Sequence, residues 1–393
     1  MSDLDVTGGA GGIEVAIEDL RQAAYRLRRA ADIVERATPE RWRAPPWDLL
    51  SAAPDLAHLV VRARLASAAA SDAVGHSVQR LRSLAVSTDR AATAYERAEA
   101  TTRGLVRGLH DQAMSLAWLV SRATGRAFGL LDEGEGWDVT VTPVVAPDCV
   151  PAPTSADSLL AGVETLGDRD SSGGVRVIEL AAADGSTTWV VQVPGTHGGW
   201  YEGGTVPMDW PANVSLMLSA TSASKVAAIR ALDRAQAGRA GPRDRVVLVG
   251  HSQGGIVAAA LASDPGFTRT HRVSHVLTAG SPIDDFPIPD STQVLSLQHE
   301  TDPVHALDAS PPPDRRSWTT VEASAPVDAR AHLTAGAHAL SAYRATASRV
   351  DRSGDVSLRQ WRAGIAPALT LAPGAEPVVH EFRSERRWQN RDS

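Results

Sequence analysis

A short, mostly apolar run, Arg245-Val246-Val247-Leu248-Val249, leads straight into Gly250-His251-Ser252-Gln253-Gly254-Gly255, and Ile256 to Leu261 follows as unbroken apolar sequence. The first run has the length and β-branched content of a buried strand, the second that of a buried helix. A Gly-x-Ser-x-Gly string arises by chance on the order of 0.2 times in a chain of this length and Gly and Ser content, so five letters alone decide little. Placed between strand and helix, they impose a turn so sharp that positions two before and two after the serine leave no room for side chains. Gly250 and Gly254 meet that demand, which makes Ser252 a candidate nucleophile. Gly75-His76-Ser77 opens the same way but sits in a helical pattern without a second glycine, and is expected to be inert.

A serine hydroxyl is a poor nucleophile unless a histidine takes its proton and a carboxylate holds that histidine. On a strand–turn–helix scaffold of this kind the chain order is serine, acid, histidine. The acid should follow the second strand after the elbow. Val294 to Gln298 is such a strand, and Asp302 in the following His299-Glu300-Thr301-Asp302-Pro303 loop is the first candidate. Glu300, Asp308 and the Asp284/Asp285 pair compete, and an Asp before proline is also an ordinary turn residue. His338 in Ala337-His338-Ala339 is the preferred base, placed at the start of a last amphipathic helix, with His332 as the alternative. His299, Glu300, Asp302 and His305 do not have the His-x-x-x-His helical spacing that would favour a metal, so no metal is expected.

A tetrahedral intermediate needs two backbone donors for its oxyanion. Gln253 N–H, next to the serine, is one candidate. The loop Pro194-Gly195-Thr196-His197-Gly198-Gly199 after the strand Thr187–Val193 offers the other, with Thr196 preferred and His197 open. The aromatic and sulfur side chains beyond it, Trp200, Tyr201, Met208 and Trp210, are candidates for a lid or an apolar acyl pocket, or else for plain core.

Val175–Leu180 and Thr187–Val193 read as strands joined at Ala183-Asp184-Gly185-Ser186, a hairpin turn by composition. A helix over 222–237 and further short apolar runs at 273–279, 293–298 and 317–323 then alternate in the way of a mostly parallel sheet covered on both faces. An opening hairpin before such a sheet suits the α/β-hydrolase fold. Residues 137–372 are assigned to this domain, and 373–393 to a polar, Arg-rich C-terminal tail, partly disordered.

These pieces resemble the lipase/esterase-like α/β-hydrolases of actinobacteria, related to PGAP-one-like esterases. The resemblance rests on Val193-Pro194-Gly195-Thr196, Asp209-Trp210-Pro211-Ala212-Asn213, Gly250 to Gly255, Ala279-Gly280-Ser281-Pro282, Asp302-Pro303-Val304, and Ala337-His338 with Tyr343, in that order. It implies ester hydrolysis through a serine acyl-enzyme, without a cofactor, on a small-molecule or lipid ester.

Residues 1–130 read differently. Ile17, Leu20, Ala24, Leu27, Ala31 and Val34 form a 3.6-residue stripe, and a longer helical pattern follows the prolines at 39, 45 and 46. Tyr95 and Glu99 form a Tyr-x-x-x-Glu that resembles the signal of WXG-type helical hairpins, although Trp42-Arg43-Ala44 is only an echo of the Trp-x-Gly turn. That resemblance implies a secretion chaperone or helical partner docking through residues 13–126. The acidic, Gly-rich first residues lack the basic and apolar pattern of a signal peptide, so none is expected, and no stretch of ~20 apolar residues is present. The expectation is a cytoplasmic protein, or one exported by a signal-independent, type VII-like route. A net charge of −7 argues against nucleic acid as partner. The single cysteine, Cys149, excludes an intramolecular disulfide.

Overall fold

The computed structural model describes residues 4–11, 13–37, 71–90 and 136–388, with scattered residues of 58–69, residue 93 and Glu133; within 136–388, residues 148–149, 170–172, 198–203, 220–221, 303, 309 and 326–332 are outside it. The chain divides into two compact units, Glu14–Leu105 and Met1–Ile13 with Val106–Ser393.

In the first unit the helix Ile13–Ala37 is paired with a helix over 71–90. Arg28 meets Asp89 at 2.9 Å, and Arg82 meets Glu35 at 2.7 Å and Asp32 at 3.4 Å, so rising numbers on one helix face falling numbers on the other. The helices are therefore antiparallel, as in a hairpin. Ala24 and Ala31, and Val78 and Ala85, are buried seven residues apart, two turns of a regular seam. The ion pairs are exposed and orient more than they stabilise. Tyr95, Glu99, Trp42 and Cys149 lie outside the described residues.

Among the described residues the second unit is built on nine strands: β1 Leu4–Gly8, β2 Trp137–Val144, β3 Gly174–Ala181, β4 Thr187–Val193, β5 Arg245–His251, β6 Val273–Ala279, β7 Gln293–His299, β8 Trp318–Ala323 and β9 Val378–Trp388. They form one sheet in the order β1-β8-β7-β6-β5-β4-β3-β9-β2. From β4 to β8 all pairings are parallel, while β1, β2, β3 and β9 join antiparallel. The β3–β4 hairpin closes where expected, with Ala182 N–H on the Ser186 carbonyl and Gly185 at φ 77°.

Alternation along single strands shows why the sheet is covered on both faces. Val246 and Leu248 of β5 enter one apolar cluster, Val247 and Val249 the other; Trp189 and Val191 of β4 likewise oppose Val190. Helices Ala223–Gln236 and Gln253–Ala262 cover the first face, and Ala156–Arg169, Leu340–Arg352 and Val356–Leu369 cover the second. The helix expected over 222–237 starts at its Ser222 cap, whose hydroxyl accepts from Lys225 N–H, and ends at Ala237 in left-handed conformation.

Two sequence expectations are corrected. The stretch assigned to a polar tail holds β9, an internal strand between β3 and β2. Residues 4–8, counted with the helical region, pair with β8 as an edge strand. Among the described residues no helix is long and apolar enough to cross a membrane.

Candidate active site

Ser252 joins β5 to the helix Gln253–Ala262 with φ 51° and ψ −121°. Among the described residues only Ala237 shares its positive φ without being glycine. Such a backbone is strained by roughly 1–3 kcal/mol and persists because its surroundings hold it. Ser252 N–H is anchored on the Ala279 carbonyl at 2.9 Å. A Cβ at Gly250 would lie 2.1 Å from the Gly254 carbonyl carbon, and one at Gly254 would lie 2.0 Å from the Val193 oxygen. The steric demand inferred for both glycines is therefore met by backbone, which cannot give way.

Asp302 follows β7 and is fully buried at 1 % exposure. Its Oδ2 accepts His338 Nδ1–H at 2.8 Å and the Tyr343 hydroxyl at 2.6 Å, and its Oδ1 accepts Val304 N–H at 3.0 Å. Burial by itself would raise this carboxyl, but the donors, His338 foremost, hold it below the usual aspartate range. The same burial and the nearby Asp302 charge push the Tyr343 hydroxyl well above its ordinary value, so it stays a donor.

His338 was expected to open the last amphipathic helix. It instead closes the short helix Leu333–His338, and the next helix starts at Leu340 and is itself followed by Val356–Leu369. Two imidazoles fix this turn. His299 Nδ1 meets the Ala337 carbonyl at 2.8 Å, and His251 Nε2 meets the His338 carbonyl at 2.9 Å. A carbonyl only accepts, so both ring nitrogens carry protons. His299 Nε2 then accepts from Thr346 Oγ1 at 2.9 Å. Burial lowers both pKa values, His251 to about 4, which keeps the two rings neutral. Because every polar atom of His299 and Asp302 is engaged in this way, they are not arranged around a metal. Among the described residues no group of three or more His, Cys, Asp or Glu side chains is arranged to hold one.

A Cβ on Gly195 would lie 3.3 Å from Ser252 Cβ, so the loop after β4 runs against Ser252. His197 N–H is committed to the Met208 carbonyl at 2.7 Å, which leaves Thr196 as the second backbone donor candidate. Asn213 Nδ2 donates to Thr196 Oγ1 at 2.8 Å and Gln253 Nε2 to the Asp209 carbonyl at 3.1 Å, tying both donor residues to one segment. Gln253 N–H is the first of its helix and has no intrahelical acceptor, and the helix end adds positive potential there. Met208 is fully buried in the apolar core; Trp200, Tyr201 and His332 lie outside the described residues, as does the side chain of Trp210. Tyr343, Asn213 and Asp209 were visible in the sequence only as members of a resemblance, since nothing local shows what they bond to.

Of the competing carboxylates, Asp284, Asp285 and Asp308 form a separate cluster, while Glu300 is exposed and accepts from the Ser324 hydroxyl at 3.1 Å. Asp284 N–H donates to Asp308 Oδ2 at 2.6 Å and Gln298 Nε2 to Asp284 Oδ2 at 2.9 Å. Burial, reinforced by the neighbouring Asp308, raises Asp284 to about 8, and burial raises Asp308 to about 7. An acid whose pKa rises on folding binds its proton more tightly when folded, so its contribution to stability falls as pH climbs from about 4 to 8. Asp284→Asn should therefore gain stability relative to wild type between pH 6 and 9, by roughly 1–3 kcal/mol in urea melts. A gap independent of pH would refute the assignment.

Residues 217–324 match the family model of the PGAP1-like alpha/beta domain, a span that holds β5 to β8, Ser252 and Asp302 and ends before His338. No curated protein and no solved structure matches the chain. The mixed, mostly parallel sheet with its opening hairpin, the strained serine between β5 and its helix, and the PGAP1-like match give this chain an α/β-hydrolase fold with a hydrolase-like domain.

Proposed function

We propose that the chain is a serine hydrolase that cleaves esters through Ser252, His338 and Asp302. One observation carries this: Ser252 sits at its strained turn next to His251, whose Nε2 meets the His338 carbonyl at 2.9 Å, and the same His338 is paired through Nδ1 with Asp302 Oδ2 at 2.8 Å. Asp302 engages His338 through Nδ1, which leaves Nε2 as the base. Among the described residues neither Ser252 Oγ nor His338 Nε2 has a hydrogen-bond partner, and the two engage when substrate is bound.

Ser252 Oγ attacks the ester carbonyl carbon as His338 takes its proton, and the Asp302 charge stabilises the imidazolium. The oxyanion accepts from the N–H groups of Gln253 and Thr196. The C–O bond to the alcohol breaks as His338 returns the proton to it. Water, deprotonated by the same histidine, then hydrolyses the acyl-enzyme and restores Ser252. No cofactor enters the scheme.

Fluorophosphonate labelling tests the proposal. The phosphorus–oxygen bond forms at Ser252, fluoride leaves, and the serine proton passes to His338. Wild type and Ser77→Ala should label, and Ser252→Ala should not. Equal labelling of wild type and Ser252→Ala, or none in either, would overturn it.

A further inference from the structure

We infer that Tyr343, backed by His299, is a positioning residue that holds Asp302 for the base, and so sets how readily Ser252 is activated. The inference rests on the serine-hydrolase proposal and adds a residue to it. Three facts carry it. The Tyr343 hydroxyl and His338 Nδ1 share one acceptor, Asp302 Oδ2, at 2.6 and 2.8 Å. The Tyr343 ring is fully buried and stacks on His299 with centroids 3.9 Å apart and planes at 3°. His299 in turn is pinned at both nitrogens, to Thr346 and to the Ala337 carbonyl beside the base.

The consequence follows from the shared oxygen. Two donors on Oδ2 fix the carboxylate's rotation and spread its charge. With the tyrosine hydroxyl gone, the carboxylate can turn away from the line of the His338 N–H, which slows proton removal from Ser252. The loss falls on proton transfer and not on probe binding, so the maximal labelling rate drops while the half-saturating probe concentration stays. A residue that only filled space would not produce this split when phenylalanine keeps the ring. The ring already abuts the turn at Gly280, where an added Cβ would come within 2.8 Å of the Tyr343 ring; phenylalanine preserves that packing and the stack.

The test is the rate of fluorophosphonate labelling of the full chain at pH 8 over a range of probe concentrations. Tyr343→Phe should lower the maximal labelling rate about tenfold and leave the half-saturating probe concentration unchanged. Thermal melting establishes whether the variant is folded. If it is not, Thr346→Val, which removes the hydroxyl held by His299 without touching Asp302, should slow labelling about threefold. A folded Tyr343→Phe with the wild-type maximal rate, or, where it does not fold, Thr346→Val with the wild-type rate, would overturn the role of Tyr343 while leaving the hydrolase proposal intact. Failure of wild type itself to label at Ser252 would remove both.

Discussion

Asp302→Asn is expected to slow fluorophosphonate labelling and any ester turnover by about 10³-fold or more at pH 8. The geometry says how. Asparagine offers one oxygen where aspartate offers two, and the site has three donors: His338 Nδ1–H and Tyr343 O–H on Oδ2, Val304 N–H on Oδ1. Placing the amide oxygen at the Oδ2 position satisfies two donors and leaves the amide nitrogen facing Val304 N–H. The opposite placement satisfies one and sets an NH₂ group against two donors. The first arrangement is favoured, so His338 keeps its tautomer and loses the negative charge that stabilises its protonated form. In a buried site that charge is only weakly screened by water, so its removal falls directly on the transition state. Substrate affinity should change little. A loss smaller than about tenfold would mean that Asp302 is not the acid, and would return attention to Asp284, Asp285, Glu300 and Asp308.

Arg386→Met should destabilise the hydrolase unit by about 3–5 kcal/mol in urea unfolding at pH 8. Arg386 is 1 % exposed; its guanidinium reaches Glu133 Oε1 at 2.7 Å, the Asp209 carboxylate and the Gly204 carbonyl. Methionine fills much of the volume, but leaves two buried carboxylates without their cation. Burial already pushes Glu133 above the usual range even with Arg386 and the Ala223 N–H beside it. Without the arginine its folded pKa rises further, so the variant's deficit should shrink at pH 5, where the carboxylate is protonated. Asp209 also accepts Ala212 N–H at 3.0 Å, and its carbonyl receives Gln253 Nε2, so slower Ser252 labelling should accompany the loss. Equal deficits at pH 5 and pH 8 would show that lost packing, not unpaired charge, dominates.

The elbow was legible in the sequence because its requirements are local. A strand, a helix and glycines at fixed offsets are consecutive residues, and steric exclusion at Gly250 and Gly254 acts over a few bonds. The central strands were legible for the same reason, since sheet faces buried on both sides leave continuous apolar runs such as Val246–Val249. Asp302 and His338 could be ranked, but not chosen, because their partnership spans 36 residues and depends on two loops meeting. Tyr343 was legible as a letter and not as a donor to Asp302.

The strand β9 marks the limit most clearly. Glu381, Ser384 and Arg386 read as a solvated polar tail because the groups that neutralise them are distant in sequence: Arg176 for Glu381, the Gly173 carbonyl for Ser384, Asp209 and Glu133 for Arg386. Burial of a charge is decided by the partner that compensates it. Local pattern therefore determined the Ser252 elbow, its turn and the parallel core of this protein. Only the tertiary structure decided which carboxylate bonds to His338, which buried charges pair, and that the last polar stretch forms an internal strand of the sheet, since each depends on groups that only folding brings within hydrogen-bond reach.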